Sequence, residues 1–203
     1  SNMRQVHAGI TYSYGNNSYK RNVDCKVNRV RKNLPLALGD TVYTGSNGDE
    51  VVEISLGGGS SEFSTVGGEP FFRMKSRSHW QVQPDPNDIK FRISKGEAMF
   101  RDMGSKIKEL YSDDIVIDTG SAIMSIRGTE LYFNVEENGD TTVYVTHGEV
   151  LVKDLYGEEA TLLAGQKINV TTDAGIGFTS FISSEDYESF ETFEVEEESN
   201  FMW

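Results

Sequence analysis

The punctuation of this chain restricts its fold more than any other feature. Short runs of alternating apolar and polar residues are broken again and again by Gly, Asn, Asp and Ser, and 20 of the 203 residues are glycine. Alternation with period two sends successive side chains to opposite faces of a strand, and the breakers supply turns. In Thr129–Val135, Leu131, Phe133 and Val135 share a face; Glu136–Asp140 follows, then Thr141–Val145 with Val143 and Val145 on one face. Asn138-Gly139 readily takes the positive φ angles of a tight turn, so this segment predicts a hairpin. Helical periodicity is nearly absent between 23 and 182. Short helices are expected at most at Ser105–Ser112 and Ser184–Phe193, the second capped by a serine with Tyr187 and Phe190 on one face.

A repeat adds to the pattern. Residues 88–102 can be laid on 140–154 so that Asp88, Gly96, Glu97 and Asp102 fall on Asp140, Gly148, Glu149 and Asp154, with a basic residue (Arg101, Lys153) before the last Asp. A fainter echo sets Val42–Ser46 against Ile117–Ser121. Repeated β-units of this kind stack faces that cannot be buried singly. The expected fold is all-β, with two related β-layers forming a sandwich or short β-roll. Its organisation reads as residues 1–22 for a tag remnant (Ser1-Asn2) and an N-terminal arm, 23–182 for the β domain, and 183–203 for an acidic, aromatic tail.

Charge narrows the classes of partner. Nineteen Lys and Arg against 32 Asp and Glu leave −13, which argues against nucleic-acid binding and against attachment to an anionic membrane surface. Eight of the acids lie in 183–203, which has no Lys or Arg, so residues 1–182 carry only −5. One local strip runs the other way: Lys20, Arg21, Lys26, Arg29, Arg31 and Lys32. It reads either as a charged strand edge that discourages sheet-to-sheet association or as a surface for an acidic partner, the chain's own tail included. The tail's Tyr187, Phe190, Phe193, Phe201 and Trp203 could dock in a partner, pack back on the body or open a further domain. One cysteine, Cys25, excludes an intrachain disulfide. No apolar run is long enough to span a bilayer, so this sequence predicts no direct membrane insertion.

The stretch from Ile115 through Phe133, with Thr119-Gly120 at a turn and Ile126-Arg127-Gly128-Thr129 leading into the next strand, resembles the signature of the FecR domain. Leu38-Gly39-Asp40-Thr41-Val42, Gly148-Glu149-Val150 and Ala164-Gly165-Gln166 resemble its flanking segments, in the family's order, across roughly Val23 to Thr172. Two departures are Ser125, where a small residue such as Gly is usual, and Gly120, where Pro is frequent. The family's best-understood members are membrane-spanning regulators whose cytoplasmic segment controls an alternative sigma factor. Their outer domain reads the state of an outer-membrane receptor. Nothing here resembles the inner segment. The resemblance therefore implies a non-enzymatic, periplasmic or otherwise extracytoplasmic module, with room for an anchor outside this sequence, that relays or scaffolds a signal by contact with another envelope protein. Gly39, Asp40, Thr119, Gly120, Arg127, Gly128, Thr129, Gly148 and Gly165 are its motif positions. Physically, Gly128 permits a backbone excursion, Arg127 offers five donors for turn carbonyls and Thr129 starts a strand well, so this triplet reads as a structural corner.

Other motifs compete. Asp118-Thr119-Gly120-Ser121 after Ile115-Val116-Ile117 also matches the active-site turn of aspartic proteases, whose chemistry needs two facing carboxylates. One copy would require a homodimer, and Asp118 reads more simply as a turn residue bonding its own backbone. Trp80 and Tyr132, as exposed aromatics, would suit a glycan- or peptidoglycan-binding module. His7, His79 and His147 lack metal-ligand spacing, so no metal and no cofactor is expected. Leu56–Ser61 lacks the ending of a phosphate loop and reads as a hairpin turn; Asp85–Asp88 reads as a turn too.

Overall fold

The computed structural model describes residues 3–57 and 66–195. The expected tag remnant, most of the Leu56–Ser61 turn, and Phe201 and Trp203 lie outside them. The chain first forms β1 (Ala8–Tyr14), β2 (Ser18–Lys20), β3 (Val27–Arg29), β4 (Pro35–Leu36) and β5 (Thr41–Tyr43). It continues through β6 (Val51–Ser55), β7 (Phe71–Lys75), β8 (His79–Gln83) and the long β9 (Ile89–Arg101). Helix α1 (Lys106–Tyr111) leads to β10 (Ile115–Asp118), β11 (Ala122–Ile126), β12 (Glu130–Val135), β13 (Thr141–His147) and β14 (Glu149–Asp154). Then come β15 (Glu159–Leu163), β16 (Gln166–Thr171), β17 (Gly175–Ile176), β18 (Ser180–Phe181), α2 (Ser184–Phe190) and a 3-10 turn, Glu191–Phe193.

The strands form two layers. In the first, the order is β4-β1-β6-β7-β9-β12-β13-β16, with β17 and β18 both paired to β16. In the second it is β3-β2-β5-β8-β9-β10-β11-β14-β15. Strand β9 belongs to both: its early residues pair with β8 and β10, and Gly96–Arg101 pair with β12. Among the described strands, only β9–β10 is parallel. Parallel neighbours need a crossover, and residues 102–114 with α1 supply it.

The repeat now has a geometric meaning. Gly96 marks where β9 leaves the second layer for the first, and Gly148 marks where β13 of the first becomes β14 of the second. Both glycines have positive φ, +109° and +76°. A Cβ on Gly96 would lie 2.5 Å from Ser78 Cα, and one on Gly148 would lie 2.4 Å from the Gly128 carbonyl oxygen. The repeated unit is a strand that changes sheet at a glycine, traversed in opposite senses by the two copies.

Between the layers lies one apolar core. It takes Ile10, Ile54, Phe72, Phe100, Leu131, Phe133 and Val143 from the first sheet, and Val42, Trp80, Phe91, Ile117, Met124 and Val152 from the second. The 8–20 segment, expected to be an N-terminal arm, is corrected by this arrangement: β1 is an inner strand with Ile10 fully buried, and β2 sits in the second sheet with Tyr19 6% exposed. The burial gain of Ala8, Ile10 and Tyr19 holds it there.

The predicted hairpin is β12–β13, with Leu131 opposite Val145 and Phe133 opposite Val143. The described part of the tail, 183–195, packs back on the body. Ser183 caps α2 with its side chain accepting from Asp186 N, and the Asp186 carboxylate accepts from Ser183 N. Phe190 and Phe193 then cover Phe71, Met99 and Tyr132 on the outer face of the first sheet. That cover explains why Phe71–Met74 are buried on both faces instead of alternating.

Candidate interaction surface

The motif positions cluster at corners. The Thr129 hydroxyl donates to the carbonyls of Arg127, at 2.8 Å, and Glu149, at 3.2 Å, joining the Gly128 corner to the Gly148 corner. Thr119, whose hydroxyl lies 2.7 Å from that of Thr141, and Ser121, which donates to the carbonyls of Gly139 and Val170, form a second buried hydroxyl cluster. The Gly165 amide donates to the Val145 carbonyl, and its own carbonyl receives Ile182 N. Arg127 departs from the five-donor reading. Its side chain is 58% exposed and, among the described residues, its guanidinium pairs only with Asp114, at 3.5 Å, so turn carbonyls here are served by the Thr129 hydroxyl instead.

Asp40 is the most heavily engaged of the set. Its carboxylate is 1% exposed and accepts from Asn22 N, Ala37 N and the Arg21 guanidinium, the last at 2.6 Å. Gly39 beside it donates to the Val82 carbonyl. One buried carboxylate thus ties the β2–β3 hairpin to the β4–β5 loop. Asp102 and Asp154, the last positions of the two repeats, do related work. Asp102 accepts from Lys106 N and Ile107 N; burial raises its carboxyl above the ordinary range, and those amides offset only part of that. Asp154 accepts from Tyr156 N, Glu158 N and Ile176 N, and although desolvation works to raise it, these amides win and hold it below its ordinary value.

Asp118, the residue of the protease-like turn, gives one carboxylate oxygen to Gly120 N at 2.8 Å and holds the other 3.7 Å from Lys90 Nζ. Trp80 and Tyr132 are corrected as exposed aromatics. Trp80 is fully buried, stacked on Phe91 with centroids 5.4 Å apart, and Tyr132 lies under the parallel ring of Phe190, 4.0 Å away. The glycan reading loses the residues it stood on.

The family described as FecR protein matches residues 40–151. That stretch is more than half of the chain, and it opens on Asp40 and closes just after the Gly148 corner. The chain belongs to the FecR family. Among curated proteins no relative matches. Two solved structures resemble this FecR chain, both of a "putative anti-sigma factor" from Parabacteroides distasonis. One has a TM-score of 0.50 at 16% identity over 72% of this chain, the other 0.47 at 18% over 70%. The FecR chain spans 63% and 64% of the length of those proteins. At such identity the first likeness shows a common fold.

With the motif groups bonded inside, the FecR fold presents its open strand edges to solvent. At one end, β3 pairs only with β2 among the described strands, and all three of its residues are exposed. Lys20, Lys26, Arg29, Arg31 and Lys32 have no ion-pair partner among the described residues. Exposed apolar groups sit among them, Val23 at 88% and Val27 at 61%. At the other end of that sheet, β15 pairs only with β14 among the described strands and Leu163 is exposed; Phe178 and Phe181, near β16 of the first sheet, are exposed too. Reading the sequence found the basic strip but not the valines within it, because isolated valines carry no signal until their burial is known.

Proposed function

We propose that this FecR domain is a non-enzymatic, extracytoplasmic signalling module of a sigma-factor regulatory system, acting through protein–protein contacts at its open sheet edges. The observation that carries the reading is where the family's polar groups go. Asp40, Thr119 and Thr129 are each at most 1% exposed, and their donors and acceptors bind the domain's own backbone and side chains. Groups so engaged support a scaffold. Recognition then falls to the surface, where β-edges offer unpaired backbone groups to an incoming strand. The name of the neighbouring structures points the same way, to regulation of transcription.

A transcript comparison between cells lacking this gene and their parents tests the reading. The expected result is a coordinated change in genes sharing one promoter class, with a photo-crosslinker on β3 or β15 capturing envelope proteins. An unchanged transcriptome, or crosslinks to cytoplasmic enzymes alone, overturns it. Asp118→Asn should leave that regulation intact. Acid-range peptide cleavage by the parent chain and not by the variant would instead restore the protease.

A further inference from the structure

The basic hairpin at the β3 edge has a geometry more specific than its charge. Antiparallel pairs alternate between residues that exchange backbone hydrogen bonds and residues that do not. Arg21 N donates to the Lys26 carbonyl and Val30 N to the Asn17 carbonyl, while the register sets Tyr19 opposite Asn28. Residues 26, 28 and 30 therefore turn their backbone groups toward β2. Val27 and Arg29 turn theirs to the open side. Their side chains, with that of Lys20 opposite Val27, share the sheet's outward face, because Tyr19 and Val30 point into the core.

Two explanations compete for such an edge. Charges that only guard against aggregation need no apolar group among them, and long flat hydrophobic edges are what they replace. This edge instead keeps Val27 between Lys20 and Arg29, with Val23 at the hairpin tip, and it has a fixed shape. Asp40 pins Arg21 and Asn22 at the base of the turn. The segment 20–32 holds six of the chain's 19 basic residues against a single acid, Asp24, in a protein that is otherwise strongly acidic. A strand edge with donors and acceptors unpaired among the described residues, cations and one apolar spot matches a ligand of opposite charge and the same extended form.

We propose that β3 is a docking edge for an extended acidic segment of a partner protein, which adds to the second sheet as a further strand. This rests on the protein-contact reading above and names the site and the partner's chemistry. The incoming strand exchanges backbone hydrogen bonds with Val27 and Arg29. Its carboxylates, on alternate residues, face Lys20, Arg29 and Arg31, and an apolar residue covers Val27.

A capped, dye-labelled peptide of alternating Glu and Thr is the probe, with alternating Lys and Thr as its control, read by fluorescence anisotropy on the full chain. The acidic peptide should bind, and the basic one should not. Arg29→Glu with Arg31→Glu should weaken binding by about ten-fold or more and flatten its salt dependence. Neither side chain has an ion-pair partner among the described residues, so the variant should unfold at the parent temperature. Val27→Pro is the sharper variant. It removes an N–H that faces away from β2, so the hairpin survives while an added strand loses a hydrogen bond. Binding unaffected by Val27→Pro, or equal binding of duplex DNA or phosphatidylglycerol vesicles, reduces the edge to a general anion attractor and overturns the proposal. Salt-sensitive self-association abolished by the charge reversal overturns it too, in favour of a second copy of this chain. If the double reversal leaves transcription and crosslinked partners in the cell unchanged, the edge assignment fails while the signalling reading stands.

Discussion

At the scale of single residues, hydrogen-bond demand decides which polar groups matter. Asp40 serves three donors from a buried position, one of them a guanidinium. Asp40→Ala leaves two backbone amides and a cation without their acceptor, and should cost about 3 kcal/mol in a urea unfolding series. Asp40→Asn should recover part of that loss by keeping one acceptor oxygen. Thr129→Val keeps the shape of the side chain and removes only the hydroxyl that joins two corners. A loss of about 1–2 kcal/mol is expected, against a smaller one for Thr142→Val, whose hydroxyl donates to Asn169 Oδ1 at the exposed surface of β13. Equal losses at the two positions would mean that the corner bond contributes nothing particular. The buried pair Glu53–Arg73, at 2.5 Å, belongs to the same class of demand. Glu53 also accepts from Thr11 and Gly67 N, and Arg73 donates to the Phe193 carbonyl, so removing either charge strands the other beneath the tail.

At the scale of elements, the corners and the tail have separate origins. A glycine at a sheet-changing corner is required by close approach as well as by φ. Gly148→Ala meets the Gly128 backbone, whereas Gly157→Ala, at a comparable φ of +85°, meets open space. The second should cost only the left-handed penalty of about 1–2 kcal/mol, and the first distinctly more, measured by thermal melts of both. The tail helix depends on charge. Asp186 is subject to a desolvation that would raise it, but Lys167 and the Ser183 cap outweigh this and hold it below its ordinary 3.8. Lys167 is raised above 10.5, chiefly by its bond to Asp186, at 2.7 Å. A carboxyl favoured in its ionised form by the fold contributes fully above about pH 3.8 and loses that contribution as pH falls through its lower folded value. The lysine's contribution is present below 10.5 and drains as pH rises past its folded value. Amide shifts of Ser183–Phe193 should accordingly move toward undocked values below pH 3.8 while core resonances such as Trp80 hold. Simultaneous movement of both sets would show that the tail and body melt as one unit.

At the scale of the whole molecule, two layers share strand β9, and charge of opposite sign gathers at separate places on them. The basic edge of β3 and the acidic helix after β18 sit on different sheets, and the motif that identifies the family lies largely in strand corners. Much of this is legible in the sequence. Period-two alternation announces the all-β class and the Asn138-Gly139 turn locates the β12–β13 hairpin, but the Gly-Glu of the repeat, which reads as a turn in both copies, breaks the strand only at Gly148, while β9 runs unbroken through Gly96. Sequence reading failed where burial depends on residues far away in the chain. Trp80 and Tyr132 read as surface aromatics in the sequence, but one is covered by the opposite sheet and the other by Phe190, 58 residues downstream. Residues 8–20 join the domain only through pairing with strands distant in the chain, β1 with β6 and β2 with β5, which local patterning does not reveal.

What the sequence by itself determined is local: turn positions, strand faces and the ordered motif that marks the FecR family, all of which depend on interactions within a few residues. Tertiary structure alone decided which face of each strand was covered, which carboxylates were enclosed by amides, and which edge remained open. Those outcomes follow from long-range strand pairing, whose partners are chosen by the shared burial of surfaces distant in the chain.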